Sequence, residues 1–158
     1  MMNGFTRDKS TRIRLATAGD WALLLEWRND EGTRLSSINT EPVAEDSHRA
    51  WLDASIASPD RHLFIVEVDG EPVGTTRLDR REDGWEISIT VAPEHRGKGL
   101  GGVLLDVTTE WFDREIGGDV ILSTIKPSNP ASLALFAKKG YSVVREDPGL
   151  VHLKLKRN

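Results

Sequence analysis

Apolar residues recur along the chain at two spacings, and the shorter spacing predicts the strands. Alternating or short continuous apolar runs occur in seven stretches: residues 11–17, 62–68, 72–78, 85–91, 120–125, 141–147 and 150–156. The turn Asp69-Gly70 joins two of them into a hairpin. In the fourth stretch Ile87 lies on one face, whereas Glu86 and Ser88 lie on the other. We therefore expect a mixed, mostly antiparallel sheet of about six or seven strands.

The longer spacing predicts about four helices, at residues 17–30, 43–57, 101–115 and 129–140. In the second helix we expect one face to contain Val43, Ser47, Trp51 and Ala54. Asn129 caps the last helix, with Pro130 at its first position. Residues 31–42 are polar and predict a loop. The order of elements is βααβββαβαββ, which indicates the α/β (α+β) class.

Composition restricts the type of protein. The 158 residues suffice for one domain, which we place at residues 11–158 after a flexible tail at residues 1–10. A net charge of −4 does not favour nucleic acid or an anionic membrane. No apolar stretch reaches the roughly 20 residues of a membrane span, and no signal-peptide pattern occurs, so we expect a cytoplasmic protein. The sequence has no cysteine, and its four dispersed histidines predict no metal site.

A glycine-rich segment follows the strand at residues 85–91 and precedes the third helix. The segment contains four glycines and two cations: Arg96 is followed by Gly97, Lys98, Gly99, Gly101 and Gly102. Glycine allows positive φ angles and a close approach to the backbone, and a helix N-terminus offers unpaired N–H groups to an anion. The segment therefore predicts a site for a phosphorylated ligand. His95, just before it, is expected in a solvated turn.

Two other phosphate-binding patterns fit this segment less well. Residues 97–102 spell G-x-G-x-x-G, but residues 92–96 separate the strand from the first glycine, which disfavours a dinucleotide fold. A Walker loop fails because Gly99 follows Lys98 where Ser or Thr is required. A glycine-rich turn without a ligand remains an alternative.

Two motifs carry a resemblance to a known family. Arg96-x-x-Gly99-x-Gly101, between a strand and a helix, resembles the acyl-CoA pyrophosphate loop of the GCN5-related N-acetyltransferase (GNAT) superfamily. The second motif, about 30 residues later, is Asn129-x-x-Ser132-x-x-Leu135-Phe136-x-x-x-Gly140-Tyr141. The resemblance spans residues 11–157 and implies the GNAT fold and an enzyme that transfers an acetyl group from acetyl-CoA to a primary amine.

The resemblance also implies which residues bind acetyl-CoA. Amides of the glycine segment would hold the pyrophosphate, the strand ending at Val91 would pair with the pantetheine arm, and Asn129 would contact acetyl-CoA from the other side. The predicted binding residues are Thr90, Val91, Arg96, Gly97, Lys98, Gly99, Leu100, Gly101, Gly102, Asn129, Ser132 and Phe136.

The reaction needs a neutral amine, whereas a lysine-like ammonium has a pKa near 10.4 and is almost wholly protonated at neutral pH. Glu86 is the predicted base, with Ser88 as a holder of the intervening water; the alternative for Glu86 is a carboxylate on a solvated strand face. A backbone N–H near Thr90 or Val91 would polarise the thioester carbonyl. Many family members have a tyrosine acid where this chain has Phe136, and Tyr141 is expected to pack.

The acceptor is predicted from a shorter resemblance. The segments 26–30 and 48–51 resemble the amino-sugar-nucleotide N-acetyltransferases of the pseudaminic-acid and spore-coat polysaccharide type. The implied acceptor-binding residues are Trp27, Arg28, Asn29, Arg34 and Glu86. Alternatives are a core role for Trp27 with Arg28 in a helix-end salt bridge, a peptide, protein or small-amine acceptor, and a non-catalytic acyl-CoA sensor. A homodimer is left open.

Overall fold

The computed structural model describes residues 10–157, so residues 1–9 of the predicted tail lie outside the described residues. The strands are β1 (Thr11–Leu15), β2 (Arg61–Val68), β3 (Glu71–Arg81), β4 (Gly84–Val91), β5 (Val120–Ile125), β6 (Ser142–Asp147) and β7 (Leu150–Lys156). The helices are α1 (Trp21–Asn29), α2 (Glu31–Ser36), α3 (Glu45–Ala57), α4 (Leu100–Glu115) and α5 (Pro130–Lys138). The predicted fold class is confirmed, and the seven strands follow one another along the chain as predicted, but residues 10–157 contain five α-helices rather than about four. The boundaries of the single domain stay a prediction.

Two helical details differ from the prediction. Helix α2 occupies half of the predicted polar loop, and the Asp30 side chain caps it by accepting a hydrogen bond from Thr33 N at 3.0 Å. Helix α3 turns His48, Leu52 and Ser55 toward the interior. The predicted face of Val43, Ser47, Trp51 and Ala54 is therefore not the one that the helix buries. Among residues 10–157, no helix is long and apolar enough to cross a membrane.

The sheet has the strand order β1-β2-β3-β4-β5-β7-β6, and every neighbouring pair is antiparallel except β4 and β5. These two parallel strands pair only at Trp85 with Ile121 and at Glu86 with Leu122. Beyond those pairs the strands separate toward their carboxyl ends. We call the space between residues 87–91 and residues 123–125 the β4–β5 gap.

Helices cover the two faces of the sheet unequally. One face packs against α4 and α5 in a core that includes Phe64, Leu78, Ile87, Phe112 and Phe136. On the other face, α1 and α3 pack over β2 in a second core cluster, of Ala16, Leu24, Trp27, Leu52, Leu63, Ile65 and Ala92. Strand register places Glu86 and Ser88 on this second face, beside the helices.

Gly74 lets β3, β4 and α4 approach one another closely. A Cβ at this position would lie 2.6 Å from Thr90 O and 2.6 Å from Leu104 Cδ2. We expect Gly74→Ala to lower the free energy of unfolding by about 1–3 kcal/mol through overpacking. Gly102→Ala is the control, because its Cβ would have no neighbour closer than 3.7 Å and alanine favours a helix by roughly 0.5–1 kcal/mol. Urea denaturation giving equal shifts for both variants would contradict this packing.

Candidate active site

The backbone of β4 presents polar groups to the β4–β5 gap, where its residues after Glu86 are not paired with β5. Ile87 O faces β5, because it accepts a hydrogen bond from Ser123 Oγ at 3.3 Å. Ala92 N faces the other way and donates to Val73 O at 2.8 Å. Backbone groups alternate along a strand, so those of Ile89 and Val91 also face the gap. From the sequence, Thr90 and Val91 were both predicted to bind acetyl-CoA along this strand. Thr90 O instead faces β3, close to Gly74.

The glycine segment links β4 to α4 in a conformation that few other residues adopt. Gly97 has φ 78° and Gly99 has φ 74°, and Gly99 stands immediately before the first residue of α4. A Cβ at either glycine would meet no atom within 4 Å. The first turn of α4 has amides without an intrahelical partner, and the open surroundings of Gly97 and Gly99 leave room for an anion beside it.

A groove of about 380 Å³ runs between the start of α4 and α5. Its lining residues are Gly99, Gly101, Gly102, Val103, Leu135, Lys138 and Lys139. Lys139 Nζ bonds Asp106 at 3.0 Å, whereas Lys138 is exposed and forms no ion pair among residues 10–157. The sequence analysis missed these two lysines, although they lie within the second motif.

Arg96 and Lys98 have partners of their own. The Arg96 guanidinium pairs with Asp30 and donates to Thr33 Oγ1 at 3.0 Å, and it holds the pKa of Asp30 below its usual value. Lys98 Nζ lies 3.3 Å from Nδ1 of His95. His95 is buried and its Nε2 lies 2.8 Å from Glu71 Oε2, so the expected solvated turn is wrong for this side chain. Arg96 thus joins the glycine segment to α2.

The second motif mainly builds α5. Asn129 Oδ1 caps the helix by accepting from Ser132 N at 3.2 Å. Phe136 is buried and meets the ring of Tyr141 edge-on, with the ring centres 4.9 Å apart. Burial raises the pKa of Tyr141, whose hydroxyl has no hydrogen-bond partner among residues 10–157. Tyr141 packs as expected. Whether Asn129, Ser132 and Phe136 contact acetyl-CoA stays a prediction.

Glu86 lies on the sheet face opposite α4. Its Oε1 accepts a hydrogen bond from Arg81 Nε at 2.9 Å, and its side chain is largely shielded from solvent. Directly across on β3 is Asp79, which is 2% exposed. Ser88 stands across from Arg77. The same face therefore carries the predicted base, the predicted water-holding hydroxyl and a guanidinium.

The predicted acceptor residues have different surroundings. Trp27 is 1% exposed and belongs to the core under α1. Asn29 bonds Val43 through both side-chain amide atoms, at 2.8 Å and 2.7 Å. Arg34 donates to Asn29 O and Thr40 O. Arg28 donates from Nη2 to Asn39 O at 2.7 Å, but its Nη1 is buried without a partner among the described residues. Their binding roles stay predictions.

The face that carries Glu86 also has an acid–histidine pair that was not predicted from the sequence. His152 Nε2 lies 2.8 Å from Asp147 Oδ2, and this contact, followed by Arg145, lowers the pKa of Asp147. His152 pairs with Thr124 of β5. The contact between Asp147 and His152 joins β6 to β7. The periodicity within a single strand does not predict such a contact between strands. No group of three His, Cys, Asp or Glu suited to a metal ion occurs in the described part of the chain.

Known proteins resemble this chain in sequence and in fold. The model of the acetyltransferase (GNAT) family matches residues 21–141. The L-amino acid N-acyltransferase MnaT of Escherichia coli is 31% identical over 143 residues, 86% of this chain and 82% of that protein. An L-methionine sulfoximine/L-methionine sulfone acetyltransferase of Salmonella typhimurium is 30% identical over 145 residues, with the same two coverages.

Solved structures agree with this family match. Spermidine N-acetyltransferase of Vibrio cholerae, solved with CoA and spermine, has a TM-score of 0.83 at 17% identity, covering 94% of this chain and 96% of that one. The protein YncA of Salmonella typhimurium, solved with acetyl-CoA, has a TM-score of 0.73 at 25% identity, covering 93% of this chain and 94% of that one.

Proposed function

The chain belongs to the acetyltransferase (GNAT) family, and from this premise we propose that it acetylates the primary amine of a small molecule with acetyl-CoA as donor. The donor and the enzyme class follow from the family. The acceptor and the roles of individual residues are the proposal. The β4–β5 gap is the observation that carries it, because Ile89 and Val91 have no strand partner on the β5 side and the glycine segment follows shortly after β4.

The donor fits the described residues in two places. The pantetheine arm carries amide groups, which can pair with the backbone of Ile89 and Val91 as a neighbouring strand would. The pyrophosphate is an anion, which suits the amides at the start of α4 and the ammonium groups of Lys138 and Lys139 beside them. The polarising N–H was predicted near Thr90 and Val91, and we assign it to a gap-facing residue, Val91 or Ile89.

The chemistry requires one proton transfer before the acyl transfer. Glu86 takes a proton from the acceptor ammonium, directly or through a water held by Ser88. The neutral amine then forms a C–N bond with the thioester carbonyl carbon as the C–S bond breaks, and the nitrogen releases its second proton to water as the amide forms. Phe136 has no proton to give, and the Tyr141 hydroxyl is buried beside it. The leaving thiolate, with an ordinary pKa near 8.5, takes its proton from water.

Two acceptor classes remain to be separated. The similarity to MnaT and to the L-methionine sulfoximine/L-methionine sulfone acetyltransferase favours an amino acid as the acceptor. The resemblance of residues 26–30 and 48–51 favours an amino-sugar nucleotide, which stays a prediction, as do the cytoplasmic location and a homodimer. Peptide acceptors and the non-catalytic sensor are the alternatives.

A free-thiol assay with acetyl-CoA tests the proposal against a panel of L-amino acids, 4-amino-sugar nucleotides, polyamines and N-terminal peptides. We expect CoA release with a member of the first two groups, matched by one N-acetyl product in the mass spectrum. Preference for a peptide would contradict the small-molecule acceptor. Tight binding of acetyl-CoA without turnover of any amine would favour the sensor.

A further inference from the structure

We propose that Arg28 and Arg77 form a subsite for an oxyanion, a carboxylate or a phosphate, carried by the acceptor. This inference rests on the proposed function, because it names the chemical class of molecule whose amine is acetylated. It assigns a role to Arg77, which the sequence analysis did not select, and distinguishes Arg28 from its neighbours Asn29 and Arg34.

Arg28 is a guanidinium without a counter-charge. It forms no ion pair within residues 10–157, and its hydrogen bond goes from Nη2 to the backbone oxygen of Asn39. Its Nη1 is buried and has no partner in the described part of the chain, and proteins rarely leave a buried polar group unsatisfied. An oxyanion that replaced Asn39 O would give both Nη atoms a partner, in the two-point geometry that guanidinium favours.

The charges around Arg28 also favour an anion. Burial, followed by the like charges of Arg34 and Arg77, lowers the pKa of Arg28. A group so placed is stabilised when a negative charge arrives and reduces the repulsion. The same field acts against a polycationic acceptor, so polyamines are expected to be poor substrates, although one fold neighbour is a spermidine N-acetyltransferase.

Arg77 connects this charge cluster to the reaction centre. Its Nε donates to Asp79 Oδ2 at 2.8 Å, and its Nη atoms form no hydrogen bond among residues 10–157. On β3 it stands directly across from Ser88, two residues from Glu86 on β4. An anion bound between Arg28 and Arg77 would therefore bring a nearby amine of the same molecule toward Glu86.

The test compares acceptors that differ only in this charge. L-methionine sulfone has a free carboxylate, and its carboxamide is the neutral counterpart; a 4-amino-sugar nucleotide supplies the phosphate arm. We expect Arg28→Ala and Arg77→Ala to raise KM for the anionic acceptor about 10- to 100-fold, with kcat within about threefold. For the carboxamide, kcat/KM should change less than about threefold. Arg28→Lys should lie between, since it retains the charge without the fork.

Arg114→Ala is the matched control, since Arg114 is exposed near the end of α4 and, among residues 10–157, pairs only with its neighbour Glu115. Equal losses for the acid and the carboxamide would assign Arg28 a structural role and overturn the subsite. Wild-type preference for the carboxamide would overturn the subsite while the transferase stands. Failure of every amine with wild type would contradict both the subsite and the proposed function. A selective loss with the sugar nucleotide alone would support the subsite and identify the oxyanion as phosphate.

Discussion

Gly99→Asp is expected to abolish binding of acetyl-CoA, whereas Gly99→Asn is expected to weaken it far less. Gly99 precedes the first turn of α4, where we place the pyrophosphate. Aspartate would bring a carboxylate to that anion, and two like charges 4 Å apart repel by about 4 kcal/mol at an effective dielectric of 20. Allowing for solvent screening, we expect a loss of affinity of roughly 100-fold or more, measured by calorimetry.

Asparagine is a close match in shape and lacks the charge. Both side chains tolerate a positive φ better than most residues, and a Cβ at Gly99 would meet no atom within 4 Å. Aspartate at a helix N-terminus is also favourable to the helix, so the folded state should survive in both variants. A similar loss of affinity in the two variants would remove electrostatic repulsion as the cause and contradict a pyrophosphate at this position.

Glu86→Gln is expected to lower kcat roughly 100-fold at neutral pH and to leave the Kd for acetyl-CoA unchanged. Glutamine keeps the shape and retains an oxygen for Arg81, which bonds Glu86 Oε1 in the structure. It cannot take a proton from the acceptor ammonium. The residual rate should rise with pH as the free amine becomes more abundant, so a pH profile from 6 to 9 provides the measurement.

The control for this change is Glu82→Gln, an equivalent substitution at an exposed residue in the turn between β3 and β4. It should retain the wild-type rate within a few-fold. Arg81→Ala removes the ion pair with Glu86 and retains the Glu86 carboxylate as the base. A full wild-type rate for Glu86→Gln across the whole pH range would remove Glu86 from the mechanism.

Local patterns in the sequence predicted the backbone conformation of the glycine segment and the strand face of Glu86. Glycine spacing determines a backbone conformation within a few residues, and Gly97 and Gly99 do adopt the positive φ angles that the pattern indicates. Strand alternation likewise placed Glu86 and Ser88 on the face opposite Ile87. Both features depend on neighbours in the chain, so one sequence is enough to predict them.

Features that depend on distant parts of the chain were not predictable in this way. The pairing of Arg96 with Asp30 joins segments 66 residues apart, and α2 depends on the Asp30 cap within a polar stretch. The β4–β5 gap arises where two parallel strands stop pairing, which alternation within either strand does not reveal. The unpaired Nη1 of Arg28 is likewise a property of packing.

Hydrogen exchange at the amides of β4 tests most directly whether acetyl-CoA occupies the β4–β5 gap. The amides of Ile89 and Val91 face the gap, whereas those of Ser88 and Thr90 face β3, so one strand contains both probe and control. Acetyl-CoA should slow exchange at Ile89 and Val91 well beyond its effect at Ser88 and Thr90. Saturating acetyl-CoA that left Ile89 and Val91 unprotected, or protected all four amides equally, would contradict the account.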